Sequence, residues 1–274
     1  MPSSDAIGPN DVITVHDRYL YKNDGTRFFL KGIAFPVSVQ DHYNATAWIG
    51  ILQQLDDLGL QYNTVRIYRM DPTVDYSEFF QAAMKLGVYV IVPLTAESGK
   101  GVLSRNKPAP DCYTQHLYEY GIACIENYLQ YPNVLAGLLA NEVMNSKASW
   151  ASAPCIKAYG RDLKLYASMH NHRPLPLLYA AQHSEINVHV GNVGTMLLTL
   201  NYLTCSDNHN NNNGDDTSNS ELLSESSPEV DIFGVNIESW CSSRNSFVFA
   251  DDGKSAGSYY SLWLGLHQST VPLA

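Results

Sequence analysis

Basic charge is scarce in this sequence. Seventeen lysines and arginines stand against 27 aspartates and glutamates, a formal net charge of −10, with a pI near 5.2. No basic stripe appears anywhere, which argues against a nucleic-acid or anionic-membrane partner. Long apolar runs are missing as well, and none reaches the roughly 20 residues of a membrane span. The opening Met1-Pro-Ser-Ser-Asp5 has neither a basic region nor an apolar core, so no secretory leader is read there. Five cysteines (Cys112, Cys124, Cys155, Cys205 and Cys241) show no CxxC spacing and no histidine at metal-finger distance. Their odd number leaves at least one free or missing a partner. The nine histidines are scattered, and the closest pair, His170-Asn-His172, reads as a polar helix end. No metal site and no cofactor are expected.

What is present suits an ordinary soluble globular protein: 45% hydrophobic and 16% charged residues, with a mean hydropathy of −0.18. Eighteen tyrosines and four tryptophans are a rich aromatic supply. Such rings stack on sugars, and they also fill cores. Asn44-Ala-Thr46 is a glycosylation sequon, meaningful in a secreted protein.

The most informative stretch is Val134-Leu-Ala-Gly-Leu-Leu-Ala-Asn-Glu-Val143. Its unbroken apolar run suits a strand buried on both faces. At the carboxyl end of a parallel strand, Asn141 and Glu142 would emerge on the rim where active sites are built. A strand that simply ends in solvent is the plainer alternative.

Around it, strands and helices alternate. Residues 12–15 and 19–21 read as a hairpin leading into a first strong strand at 28–35, after the turn Asn23-Asp-Gly25. A helix follows, with Trp48, Ile51, Leu52, Leu55 and Leu58 at helical spacing and Gly59 as its stop. Strands are expected at 64–68, 88–92, 134–143, 176–180 and 230–237, and helices at 77–86, 117–129, 154–169 and 259–267. A seventh strand begins at 270–274. Residues 206–220, with four consecutive asparagines, read as a disordered surface insertion in what is otherwise one domain over residues 1–274.

Six strand–helix alternations call for a parallel sheet with right-handed crossovers, closed as a barrel or left open. Lys31-Gly-Ile-Ala34 is no G-x-G-x-x-G loop, which disfavours an open nucleotide-binding sheet. The expected fold is an α/β (β/α)8 barrel that is incomplete, with about six to seven strands and the last repeat and a half missing. Its strand ends would bring Phe35, Arg66, Tyr68, the 93–97 segment, Asn141, Glu142, Gln182 or His183, and 236–240 to one rim. That inventory of carboxylate, amide, guanidinium and aromatic groups, without a serine elbow, is the one glycoside chemistry uses.

Several segments carry a resemblance. They are Phe29-Leu-Lys-Gly-Ile-Ala34, Asn63-Thr-Val-Arg-Ile-Tyr68, Val88-Tyr-Val-Ile91, Tyr131-Pro-Asn-Val-Leu-Ala-Gly137, Ala140-Asn-Glu-Val143, Phe233-Gly-Val-Asn-Ile237 and Trp240-Cys241. In that order and spacing the chain resembles glycoside hydrolase family 72, the β-1,3-glucanosyltransferases of fungal cell walls, usually glycolipid-anchored at the surface. The resemblance implies a retaining enzyme that cleaves an internal β-1,3-glucan bond and passes the new end to another glucan. Glu142 would be the general acid/base and Asn141 would bind a sugar hydroxyl. Arg66, Tyr68, Asn236, Glu238 and Trp240 would line the substrate site. For Arg66, a buried ion pair within the barrel is an equal alternative. The protein is expected to act as a monomer on β-1,3-glucan.

Departures from the pattern are also legible. The family's nucleophile lies in a Ser-Glu-Tyr-Gly segment expected just beyond Ala274, so this chain as it stands is expected to be inactive. Glu238 replaces a family tyrosine, and Pro93 and Pro36 fall near a family aspartate and glutamine. Cys205 and Cys241 match family cysteines whose disulfide partners are expected beyond residue 274. Two alternatives stay open: a β-glucan hydrolase on the same barrel, and a non-catalytic glucan-binding relative.

Overall fold

The structure is a computed structural model and describes residues 6–8, 10–146, 148–182, 195–204 and 229–236, with the backbone alone at 195–198 and 201. Three short antiparallel strands come first: β1 (Thr14–His16), β2 (Tyr19–Tyr21) and β3 (Arg27–Phe28). Six strands then form a parallel sheet in sequence order: β4 (Gly32–Ala34), β5 (Thr64–Arg66), β6 (Tyr89–Pro93), β7 (Val134–Asn141), β8 (Leu177–Gln182) and β9 (Ile232–Asn236). Between them lie α1 (Ala45–Asp57), α2 (Ser77–Lys85), α3 (Gln115–Tyr128), α4 (Ala153–Met169) and α5 (Thr195–Thr204). Strand neighbours in space that are also neighbours in sequence, joined by helical crossovers, make the curled sheet of a (β/α) barrel.

The run expected as one strand at 28–35 is two. Phe28 pairs with Leu20 in the hairpin sheet, whereas Gly32 pairs with Thr64 in the parallel one. Asn63 bridges the break, its Nδ2 donating to the Phe29 carbonyl at 2.8 Å and its Oδ1 accepting from the Lys31 N–H at 2.9 Å. One amide thereby satisfies backbone groups that neither sheet pairs.

Helix boundaries follow local chemistry. Asn44 of the sequon caps α1, accepting from the Ala47 N–H at 2.9 Å, and Thr114 caps α3 through the Leu117 N–H at 3.2 Å. Gly59 and Gly87, which follow α1 and α2, sit at φ +66° and +68°, the left-handed conformation that ends a helix. The helix α5 was not expected from the sequence, because its apolar run carries no stop signal. Residues 206–220, 259–267 and 270–274 lie outside the described residues.

Alternation along the strands divides the core in two. Val65, Ile67, Val90, Val92 and Tyr179 pack among Trp48, Phe79, Leu117, Ile156 and other helix residues. The opposite face holds Tyr89, Ile91, Leu135, Ala136, Leu138 and Leu178, joined by Ile7, Ile13 and Phe28 from the N-terminal segment. Phe28 meets Tyr89 edge-on at 5.2 Å, and the Tyr89 hydroxyl donates to the Asp11 carbonyl at 3.0 Å. The hairpin therefore closes the amino end of the sheet and leaves the carboxyl end as the open rim.

Candidate active site

The rim is built largely by β7, and two register shifts decide what it presents. Pairing with β6 slips after Val134, so that Leu135 and Ala136 both face the inner core. Pairing with β8 slips between Leu138 and Ala140, so that Leu139 and Ala140 both face the helices. Each bulge reverses the alternation that follows it. After the second, Asn141 returns to the inner face, beside Arg66.

Arg66 Nη2 donates to Asn141 Oδ1 at 2.7 Å, and Nη1 reaches Asn236 Oδ1 at 3.4 Å. Asn236 Nδ2 donates to Asn141 Oδ1 at 3.1 Å and to Glu142 Oε1 at 2.7 Å. Four side chains, from β5, the end of β7 and the residue after it, and β9, thus share one polar network, all of them half-buried. Glu142 Oε2 and Asn141 Nδ2 have no partner among the described residues, which leaves one acceptor and one donor on the rim. The Arg66 guanidinium lies over the Tyr68 ring, 4.5 Å from its centroid, a cation–π contact that orients both. Burial pushes the Arg66 pKa down, and Tyr68 and Glu142 counter it. Among the described residues Arg66 has no ion-pair partner; amide oxygens hold it instead, and its Nε is buried without one.

Glu142 itself has φ +52°. A glutamate gains nothing from the left-handed region, which costs about 1–3 kcal/mol and recurs at functional sites. Its N–H donates to the Ala180 carbonyl at 2.8 Å, one residue beyond the last β7 pairing.

A cleft of about 540 Å³ opens on the same rim, walled by Gln40, Asp41, Tyr68, Arg69, Glu97 and Tyr120 among others. Glu142 is not one of its walls. Arg69 bridges Asp41 at 2.5 Å and Glu97 at 2.6 Å. Beneath it, buried Gln40 accepts the Tyr68 and Arg69 N–H groups at 3.0 and 2.9 Å and donates to the Phe35 carbonyl at 2.8 Å. Nothing in the sequence singled out Gln40. Phe35, expected on the rim, is instead 1% exposed and packs on Trp48 and Phe79 in the helix-side core. Gln182 ends β8 exposed, opposite Asn236. His183, Glu238 and Trp240 lie outside the described residues. Pro93 closes β6 as a buried residue paired with Leu138.

Cys112 and Cys155 form a disulfide that ties the loop before α3 to the start of α4. The sequence left this pairing open. Cys124 is a free buried thiol, and burial drives its pKa far up. Cys205 and Cys241 lie outside the described residues.

A curled parallel sheet with an Asn–Glu pair at the end of its fourth repeat defines the class by fold: a (β/α) barrel. The chain belongs to the glucanosyltransferase family, glycoside hydrolase family 72, whose model matches residues 4–262. The probable 1,3-beta-glucanosyltransferase GAS3 of Saccharomyces cerevisiae is 28% identical over 241 residues, covering 82% of this chain and 42% of that protein. The 1,3-beta-glucanosyltransferase gel1 of Aspergillus fumigatus is 27% identical over 250 residues, covering 88% and 47%. The chain thus spans less than half the length of the curated relatives it matches. Solved structures of Saccharomyces cerevisiae Gas2 share the fold. One superposes with a TM-score of 0.71 at 23% identity, covering 96% of this chain and 52% of that one. Another, a mutant in complex with laminaritetraose and laminaripentaose, gives 0.69 at 23%, with coverage of 95% and 51%.

Proposed function

We propose that the protein is a retaining β-1,3-glucanosyltransferase in which Glu142 is the general acid/base. The observation that carries the reading is the carboxylate itself. It stands in a left-handed turn at a strand's carboxyl end, with Oε1 held by Asn236 and Oε2 open to the rim. Family membership and the named relatives supply the substrate class.

In this reading an internal glucan bond lies across the rim. Glu142 gives its proton to the departing glycosidic oxygen while a second carboxylate, about 5–5.5 Å away, attacks the anomeric carbon. The resemblance assigns that nucleophile to a segment outside the described residues. Glu142, now a carboxylate, takes the proton from an incoming glucan hydroxyl, and the glycosyl–enzyme bond passes to that oxygen. Asn141, fixed through Oδ1, offers Nδ2 to a sugar hydroxyl, and Arg66 holds Asn141 and Tyr68 in place. Arg66 is then a positioning group for the substrate site and not a sugar ligand.

The same reading places the protein outside the cell, attached to a cell surface by a glycolipid as is usual in the family. The Cys112–Cys155 bond supports an oxidising compartment. No helix among the described residues is long and apolar enough to cross a membrane.

Product analysis on β-1,3-glucan oligosaccharides tests the transfer. Products longer than the substrate are expected. Shorter products alone would replace transfer by hydrolysis, and intact substrate bound without turnover would leave a glucan-binding protein.

A further inference from the structure

Glu142 needs something to keep it in an unfavourable backbone conformation, and the neighbouring strand provides it at two points. Ala180 of β8 accepts the Glu142 N–H at 2.8 Å. Next to it in sequence, Tyr179 accepts the Met144 N–H through its side-chain hydroxyl at 2.9 Å. The two contacts lie on either side of the turn that carries the carboxylate. Tyr179 is fully buried, its ring packed 6.0 Å from that of Phe233, so the position of its oxygen is set by the core. Burial pushes its pKa up to about 12, against smaller opposing effects that include the Met144 hydrogen bond. The hydroxyl is therefore neutral at pH values well below that. Its oxygen lies in the core, while the segment it grips leads directly off the rim.

We propose that Tyr179 is a positioning residue for Glu142: with the Ala180 carbonyl it clamps the turn 142–144 and so aims the carboxylate at the leaving oxygen. It touches no substrate. The inference rests on Glu142 being the acid/base, but the clamp itself is a separate structural claim. Removing the hydroxyl should leave the left-handed turn unsupported on its C-terminal side, and Glu142 free to relax away from Asn236.

Tyr179→Phe, which keeps the ring, tests this in the full protein. Two readouts are needed. The first is nuclear magnetic resonance of the backbone amides and the Asn236 side-chain amide. Wild type should show a protected Met144 amide, and the variant should exchange there at least about tenfold faster and shift the Asn236 resonance. The second is turnover on two substrates. On a β-1,3-glucan oligosaccharide, whose leaving hydroxyl needs a proton, kcat should fall about tenfold to a hundredfold with KM within about twofold. On an aryl glycoside with a nitrophenolate leaving group, which departs without a proton, kcat/KM, which reports the first step alone, should fall less than about threefold, because the general acid contributes little to that step. Equal losses on both substrates would make Tyr179 merely structural and overturn the proposal, as would no loss on either. If wild type turns over neither substrate, it is the reading of the function that fails. The clamp then stands or falls on whether Met144 and Asn236 respond. Should the variant fail to fold, an unprotected Met144 amide in wild type overturns the clamp and a protected one upholds it.

Discussion

Asn236 Nδ2 donates to the Glu142 carboxylate at 2.7 Å and, at 3.1 Å, to the Asn141 amide oxygen. One amide group, delivered by the last residue of β9, holds two adjacent rim residues in a fixed relation. The sequence reading placed Asn236 among sugar-binding residues; its donor group is already committed to the protein. Asn236→Ala is therefore expected to lower turnover by about tenfold to a hundredfold, a fraction of what a general acid/base supplies, with little change in KM. Initial-rate kinetics over a range of substrate concentrations check this; a rise in KM alone would restore Asn236 as a sugar ligand.

Gln40 ties three backbone groups from two strand ends, and it is only 6% exposed. Gln40→Ala leaves the Tyr68 and Arg69 N–H groups and the Phe35 carbonyl without that partner. Buried unpaired groups cost about 1–3 kcal/mol each, partly relieved by entering water, so a loss of about 3 kcal/mol is expected. Urea denaturation measures it, and a loss below about 1 kcal/mol would mean water substitutes fully.

The Cys112–Cys155 bond closes a loop with a sequence separation of 43. Loop-closure entropy for that length gives about 4 kcal/mol. The Cys112→Ala/Cys155→Ala double variant should melt well below wild type, with its loss concentrated where the loop before α3 meets α4. Calorimetry in the absence of reductant gives the comparison.

Several buried tyrosines set the alkaline limit. Burial is the leading cause that pushes Tyr62, Tyr76, Tyr89, Tyr131 and Tyr179 to about 12, above the usual phenol value near 10. Folded-state values above the unfolded ones mean that the folded protein holds these protons more tightly. Their contribution is complete below about pH 10 and is lost as pH rises from there through about 12. Denaturation at fixed temperature should show a level stability up to about pH 10 and a steep decline beyond it, with tyrosinate absorbance appearing together with unfolding. Tyrosinate appearing well before unfolding would contradict the burial argument.

Much of the barrel was legible because buried parallel strands are read from composition alone. β7 began with its apolar run and ended at Asn141, and α1 and α2 ended just before Gly59 and Gly87. The chemistry at Asn141-Glu142 could be read for the same reason: two polar residues ending an apolar strand are out of place unless used. The network around them was only partly legible. Arg66 and Asn236 were picked out, but that they grip Asn141 and each other depends on two bulges in β7, and a bulge leaves no mark in an all-apolar run. Gln40 acts through the oxygen and nitrogen of its amide and Tyr179 through its hydroxyl, on groups brought near by the fold, at residues whose neighbours in sequence say nothing of it. The division of 28–35 into two strands hinges on Asn63, some 30 residues away, and Phe35 went to the core because strand periodicity could not say which face it took.

The central claim is that Glu142 moves the proton. Glu142→Gln keeps the shape, and its amide oxygen can still accept from Asn236. Turnover of a β-1,3-glucan oligosaccharide by the protein and by this variant should differ by about a hundredfold or more, within the range general acid–base catalysis supplies, while affinity for the oligosaccharide stays within a few-fold. A variant that turns the glucan over at a rate within a few-fold of wild type would contradict the account.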